Sequence, residues 1–366
     1  MRISVTLSLY IGRQFLLFFL AIMAVFLALI LLFDTVELMR RSASVASITL
    51  GQVVEMSLMK LPNMSQQTFP FAVLFGGMAA FAKLTRSHEL VVTRAAGVSA
   101  WQFLLPILFL AFCLGLFKIA VFNPVASATL ARYERLEASY LQGQTTLLSL
   151  AKGSLWLRQS AAGQQAVVYA SRIVQSATDM QLVGVTIFVY DGPDRFARRI
   201  EARSATLEDG FWHLREAGIF APEEPPQFKE EHWLETDLTL GRIQDSFSRP
   251  ETMSFWALPG FIDSLEQAGF SAVRHRLHLH ALLASPLLMC AMVLIAATFS
   301  LRHTRKGGTP LVIAGGVFTG FVLYFFSDVV FALGIADSIP VTLAAWTPSG
   351  VSTLLGLAML LHLEDG

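Results

Sequence analysis

Six runs of about twenty residues in this chain carry no charged side chain at all, and that feature fixes its solvent. Crossing about 30 Å of hydrocarbon at 1.5 Å per helical residue takes about 20 mainly apolar residues. Residues 14–33 (QFLLFFLAIMAVFLALILLF), 61–82, 95–117, 281–301, 307–327 and 338–363 all meet that length. The second run is the weakest, holding Pro62, Gln66, Gln67 and Pro70. Lipid offers backbone groups no partner, so the runs are expected as helices. Composition agrees: 54% of residues are hydrophobic and only 15% charged, where a soluble domain carries about 25% charged.

The charges are concentrated. Of 54 charged residues, 34 lie between Arg132 and Arg276. The pattern is three spans, a water-exposed insertion, and three more spans. The expected organisation is residues 1–125 for spans one to three, 126–275 for the inserted domain with flanking helices, and 276–366 for spans four to six. The first span is too long for the apolar core of a signal peptide, and Arg40 and Arg41 precede the small-residue stretch SASVAS, so it is read as a true span. Lys83, Arg86 and Arg94, then Arg302, Arg305 and Lys306, fall in short loops on one side. The last loop on the other side holds Asp337 and no basic residue. Basic loops favour the cytoplasm, so both termini are expected inside and the insertion outside. Arg40, Arg41 and Lys60 run against that rule.

Within the insertion, SLWLRQ (154–159), AVVYAS (166–171), VGVTIFVYD (183–191) and GFWHLREAGIF (210–220) approach alternation of apolar and polar residues. Turn residues separate them, among them Asp191-Gly192-Pro193 and Asp209-Gly210. Short strands at this spacing predict an all-β domain of sandwich or jelly-roll type. Residues 126–140 read as a helix continuing out of span three, and residues 254–267 as a short helix leading toward span four. The fold class is thus α-helical membrane protein, six transmembrane helices, with an inserted jellyroll-like β-domain. Cys113 and Cys290 both sit in apolar runs and read as inert thiols.

Chemistry is sparse. No phosphate-binding GxxxxGK[ST] loop occurs, so the chain is not its own ATP motor. Zero net charge gives no electrostatic case for nucleic acid. His275, His278 and His280 do not share one helix face, and the cluster from Arg274 to His280 reads as interfacial rather than metal-binding. Asp328 is the acid embedded in span five, expected near the outer surface. No catalytic residue, metal site or cofactor is expected on this chain. The inner loop between spans two and three reads KLTRSHELVVTRAAG, with Ser87 as an N-cap, Glu89 in the first turn and Gly97 as a C-cap. By composition alone it is an amphipathic linker.

RSHELVVTRAAGVS resembles the coupling segment of the lipopolysaccharide export permeases, the LptF/LptG family. YIGRQFLLFF at the start, FPFAVLFGGMAAFAKL in span two and HLHALLASPLLMCAMVLIAA in span four resemble it as well. Within the family the ending from Ser327 favours the LptG side. The resemblance implies a bacterial inner-membrane permease with its large domain in the periplasm. It also implies a heterodimer with an LptF-type permease, an LptB-type ATPase dimer carrying the ATP, and an LptC-type single-span partner. Lipopolysaccharide would leave the outer leaflet through a cavity between the two permeases, surrounded by membrane lipid. On that pattern about 84–97 is the coupling helix, with Arg86, Glu89 and Leu90 toward the ATPase. Arg40, Arg41, Arg132 and Arg135 match basic positions that meet lipid phosphates at the cavity rim. Arg132 and Arg135 stand at i and i+3, suited to a shared phosphate; without the family, both pairs read as interfacial snorkelling. Asp34 stands where the family carries a basic residue. It is expected either to alter the rim or to pair with a nearby arginine, and takes no binding role. Two rivals remain: a periplasmic docking scaffold merely anchored by its spans, and a lipid-modifying enzyme lacking any evident nucleophile–base pair.

Overall fold

A computed structural model describes residues 5–43, 48–87, 89, 99–140, 155–161, 164–175, 180–191, 195–222, 224–236, 238–239, 249–267, 271–300 and 309–365. The chain divides into two compact units. The first comprises Met1–Tyr133, Pro250–Leu258 and Val273–Gly366; the second comprises Glu134–Arg249 and Pro259–Ala272.

The first unit holds six helices long and apolar enough to span a membrane. They are α1 (Val5–Ser42), α2 (Leu50–Arg86), α3 (Ala100–Phe117), α6 (Val273–Ser300), α7 (Thr309–Ile335) and α8 (Val341–Asp365). A π-turn, Lys118–Phe122, joins α3 to α4 (Asn123–Tyr140), making one long third span. Helix ends and apolar runs do not coincide: α1, α2 and α6 begin well before their runs, whereas α3 begins at Ala100, inside the run 95–117. Thr49 accepts from the Gln52 backbone while the Gln52 side chain accepts from the Thr49 backbone, and Ser99 with Gln102 repeats this capping box on α3.

One face of α1 carries Ile11, Phe15, Phe19 and Met23 at intervals of four, all buried. They meet Phe69, Val73 and Phe81 of α2 in a core shared with α3 and α6. Small residues set the closest approaches, as expected where helices pack by surface contact in lipid. A Cβ at Gly76 would lie 2.9 Å from the Phe19 Cα, and one at Gly115 only 2.4 Å from the Pro286 Cα. The outward faces of α1 and α7 remain apolar and exposed, including Leu17, Phe33, Phe318, Phe321 and Phe325.

The second unit is a six-stranded antiparallel sheet: β1 (Leu155–Ala161), β2 (Gln164–Gln175), β3 (Met180–Asp191), β4 (Arg195–Glu208), β5 (Phe211–Phe220) and β6 (Gln227–Glu235). Every strand pairs with its chain neighbour, so the all-β insertion is an up-and-down meander among the described residues. Asp209-Gly210 makes a two-residue hairpin, with Gly210 at φ +81° as such turns require. Gly184, at φ +64°, leaves room for the Ser171 hydroxyl, which donates to the Val183 carbonyl at 2.7 Å. Val168, Leu182, Ile187, Ile200, Trp212 and Leu214 form the core. The short helix α5 (Leu258–Gln267) follows the sheet, as the sequence predicts.

Candidate functional site

At one end of the membrane unit, an ion pair and a cation–ring contact tie α1, α2 and α4 together. Asp34, buried on the inward face of α1, accepts from Lys60 Nζ of α2 at 2.5 Å. The same ammonium lies 5.5 Å from the centre of the buried Tyr133 ring on α4. Thr35 donates to Ser57 at 3.2 Å beside it. Asp34 therefore pairs with a lysine and not with an arginine. Lys60, counted among the loop cations in the sequence, sits well inside α2 because that helix starts at Leu50.

The four rim arginines fare differently. Arg40 is highly exposed and makes a two-point contact with Glu37, one turn back on α1, at 3.0 and 2.9 Å. Arg41 is also exposed at the end of α1. Arg132 is exposed and reaches Glu55 of α2 at 3.6 Å. Arg135 belongs to the second unit, is exposed, and has no ion pair or hydrogen bond among the described residues. Nearby on the same unit, Arg249 reaches Glu134 at 3.8 Å. Two of these cations thus carry an adjacent carboxylate that a phosphate would have to displace.

At the opposite end of these helices, Glu89 accepts from the Tyr10 hydroxyl of α1 at 3.3 Å. Lys83 donates to Gln14 at 3.0 Å and stands 5.8 Å from the Phe18 ring. Spans one and two are thereby cross-linked next to Glu89. Nothing in the sequence alone assigned Tyr10 a role, although it opens the run YIGRQFLLFF. Residues 84–86 continue α2, and Ser87 is the residue that ends it, its hydroxyl donating to the Lys83 carbonyl at 3.0 Å. Arg86 is exposed. Leu90 and the remainder of the expected coupling helix lie outside the described residues.

In the cluster from Arg274 to His280, the two arginines are exposed while the histidines turn into the fold. His275 is buried and the Nε2 of His278 is enclosed, on the side of α6 that meets the π-turn. Their i, i+3 spacing brings these two together on one face, while Lys118, Glu251 and His275 all act electrostatically on His278. Asp328 is exposed on the surface of α7. Among the described residues no cluster of three or more histidine, cysteine or acidic groups has the arrangement to hold a metal.

In the second unit, Gln159 of β1 accepts from the Trp212 indole at 2.9 Å and from the Thr236 hydroxyl at 2.7 Å, and donates to the Glu235 carbonyl at 3.1 Å. Those bonds draw the first strand toward the end of the last, so the sheet curls around its core. Beside the junction is a cleft of about 240 Å³, lined by Gln159, Arg198, His232 and Trp233 among others. Burial, then the Lys229 and Arg198 cations, hold the His232 imidazole below its ordinary pKa.

Comparison with known proteins places this geometry. Residues 9–362 match the family described as lipopolysaccharide export system permease LptF/LptG. The chain is similar to the lipopolysaccharide export system permease protein LptG of Escherichia coli (strain K12), 26% identical over 314 residues, covering 84% of each chain. It is 24% identical over 354 residues to the protein of that name from Haemophilus influenzae, covering 94% of this chain and 95% of the relative.

Proposed function

Since the chain belongs to the LptF/LptG family of lipopolysaccharide export system permeases, we propose that it is one membrane half of an exporter powered from outside itself. In this reading it pairs with an LptF-type permease in the bacterial inner membrane, binds an LptB-type ATPase dimer at the cytoplasmic face, and works with an LptC-type single-span protein. Lipopolysaccharide leaves the outer leaflet between the two permeases and moves toward the outer membrane. Both termini lie in the cytoplasm and the β-rich unit in the periplasm, consistent with the basic loops at 83–94 and 302–306. ATP binds and is hydrolysed on the partner; this chain contributes no catalytic group.

The observation that carries the reading is the extent of the family match, which includes both sets of spans and the insertion between them. A scaffold anchored by its helices needs no coupling segment; here Glu89 is held by Tyr10 and flanked by the Lys83–Gln14 bond. Movement of an ATPase bound at this segment would reach spans one and two through these contacts. At the opposite end, lipid phosphates would exchange with Glu37 and Glu55 for Arg40 and Arg132, with Arg41 and Arg135 as further cations. Asp34 neutralises Lys60, so the rim of this protein relies on its arginines.

Two substitutions test the two ends separately. Glu89→Lys is expected to abolish recovery of the ATPase with tagged protein while membrane insertion persists. Arg132→Glu with Arg135→Glu is expected to leave assembly intact and reduce photocrosslinking to lipopolysaccharide about tenfold, as loss of charge-assisted contacts worth about 1.5 to 3 kcal/mol would require. Normal ATPase recovery with Glu89→Lys contradicts the coupling role. Unchanged crosslinking in the double variant removes those arginines from the lipid site.

A further inference from the structure

The π-turn of span three is the docking point of the segment that returns from the β-rich unit. Position 124, whose N–H would normally serve the Ala120 carbonyl in an α-helix, is a proline and has none. The backbone shifts register there, with the Asn123 N–H bonded to the Lys118 carbonyl five residues back. The Trp256 indole donates to the Ala120 carbonyl at 3.2 Å. One residue earlier in the same segment, the Phe255 N–H donates to Asn123 Oδ1 at 2.7 Å. Asn123 is fully buried, and its amide nitrogen donates onward to Gln66 of α2 at 3.3 Å. Glu251, also in this segment, acts electrostatically on His278 of α6 beside Lys118. Trp256 itself leaves two thirds of its surface exposed, at 67%, so its hydrogen bond and not core packing is what ties it to the helix. π-turns inside α-helices recur at functional positions.

We propose that Asn123 and Trp256 are positioning residues for lipid export. They fasten the returning segment to spans two and three, so that displacement of those spans in the transport cycle is passed into the chain leading from the β-rich unit and is not lost in a slack linker. The inference rests on the export reading above. It adds residues that lie far in sequence from both the coupling segment and the arginine rim.

The test uses the full chain co-purified with its partner subunits in proteoliposomes containing fluorescent lipopolysaccharide, measuring ATP hydrolysed and lipopolysaccharide released to a soluble acceptor. Trp256→Phe keeps the ring and removes the N–H. Pro124→Ala restores a backbone donor that competes for the Ala120 carbonyl. Both variants are expected to hydrolyse ATP within about twofold of the unmodified protein and to release about fivefold less lipid per ATP, a typical size for coupling between sites. Pro124→Ala is expected to do so while raising the melting temperature, since it repairs the helix. The double variant is expected to be no worse than either single one, because both break the same bond. Unchanged release per ATP in the single variants, with export intact in the unmodified protein, overturns the positioning role alone. Absence of ATP-driven release by the unmodified protein overturns the export reading and this role with it.

Discussion

The pairing of Asp34 with Lys60 neutralises both groups at the end of α1 where Arg40 and Arg41 also stand. An acid at that position looked, from the sequence, like a repulsive neighbour for phosphate. The structure turns it inward, where it accepts from Lys60, whose ammonium also lies near the Tyr133 ring. Removing one partner of a buried ion pair strands the other, at a cost of about 3–5 kcal/mol, whereas removing both is far milder. Lys60→Met alone is therefore expected to lower the melting temperature more than Lys60→Met combined with Asp34→Asn; thermal unfolding of the three variants in detergent checks the order. His232 gives a second prediction. Its folded pKa lies below the ordinary value of about 6.5, so the folded sheet takes up the proton less readily than the unfolded chain. Stability of the β-rich unit is then present above that ordinary value and declines as pH falls toward the folded pKa. Protection of β5 and β6 amides from hydrogen exchange, corrected for intrinsic rate, should fall between pH 7 and 5.5. His232→Gln should flatten that dependence. Neither feature was legible in the sequence, because both depend on which residues of distant segments face one another. The four arginines and Glu89 were visible as charges at span ends, but only resemblance gave them roles, and their acidic partners Glu37 and Glu55 went unnoticed.

At the level of elements, the middles of the spans were legible because charge-free length is a physical requirement. Their ends were not. The cap Thr49 with Gln52 is polar and falls outside its apolar window, while Ser99 with Gln102 sits inside the run 95–117 and starts the helix later than hydropathy alone places it. The π-turn left one trace, Pro124 within a helical stretch, and Trp256 gave no local sign of its partner 136 residues away. Four strand positions and the Asp209-Gly210 hairpin followed from alternation and turn chemistry; β4 and β6, rich in charged residues, were not read as strands. The curl of the sheet did not, since it depends on Gln159, a polar residue inside an otherwise ordinary strand. Gln159→Ala is expected to leave the Trp212 indole and Thr236 hydroxyl without their acceptor, costing about 2–4 kcal/mol. Trp212 fluorescence during denaturation of the full chain reports that loss. In the membrane unit, Gly115→Val places a side chain against the Pro286 backbone. It is expected to reduce folded, monodisperse protein in detergent, while Gly350→Ala, with open space around it, should not.

For the molecule as a whole, the account is of two dissimilar units in one chain. One is held by helix packing in lipid, with side-chain junctions toward its two ends, Tyr10–Glu89 and Lys83–Gln14 at one and Asp34–Lys60 and the Asn123 relay at the other, and further contacts such as Ser349 to the Ala284 carbonyl elsewhere. The other has its own apolar core, and the stretch from Arg132 to Arg276 that contains it carries 15 basic and 19 acidic residues and no cysteine. The three-plus-three order was readable from hydropathy, and the β character of the insertion from alternation. The meander order needed the structure, because alternation does not say which strands pair. The proposed function assigns the energy source to a partner chain, since this one has no nucleotide-binding loop. The most direct measurement is a mild-detergent purification of the tagged protein from native membranes, identifying every co-purifying chain and assaying ATP hydrolysis. The account predicts a soluble ATPase, a second six-span permease and hydrolysis that disappears with Glu89→Lys. Recovery of the chain alone, or with periplasmic proteins only, would contradict it.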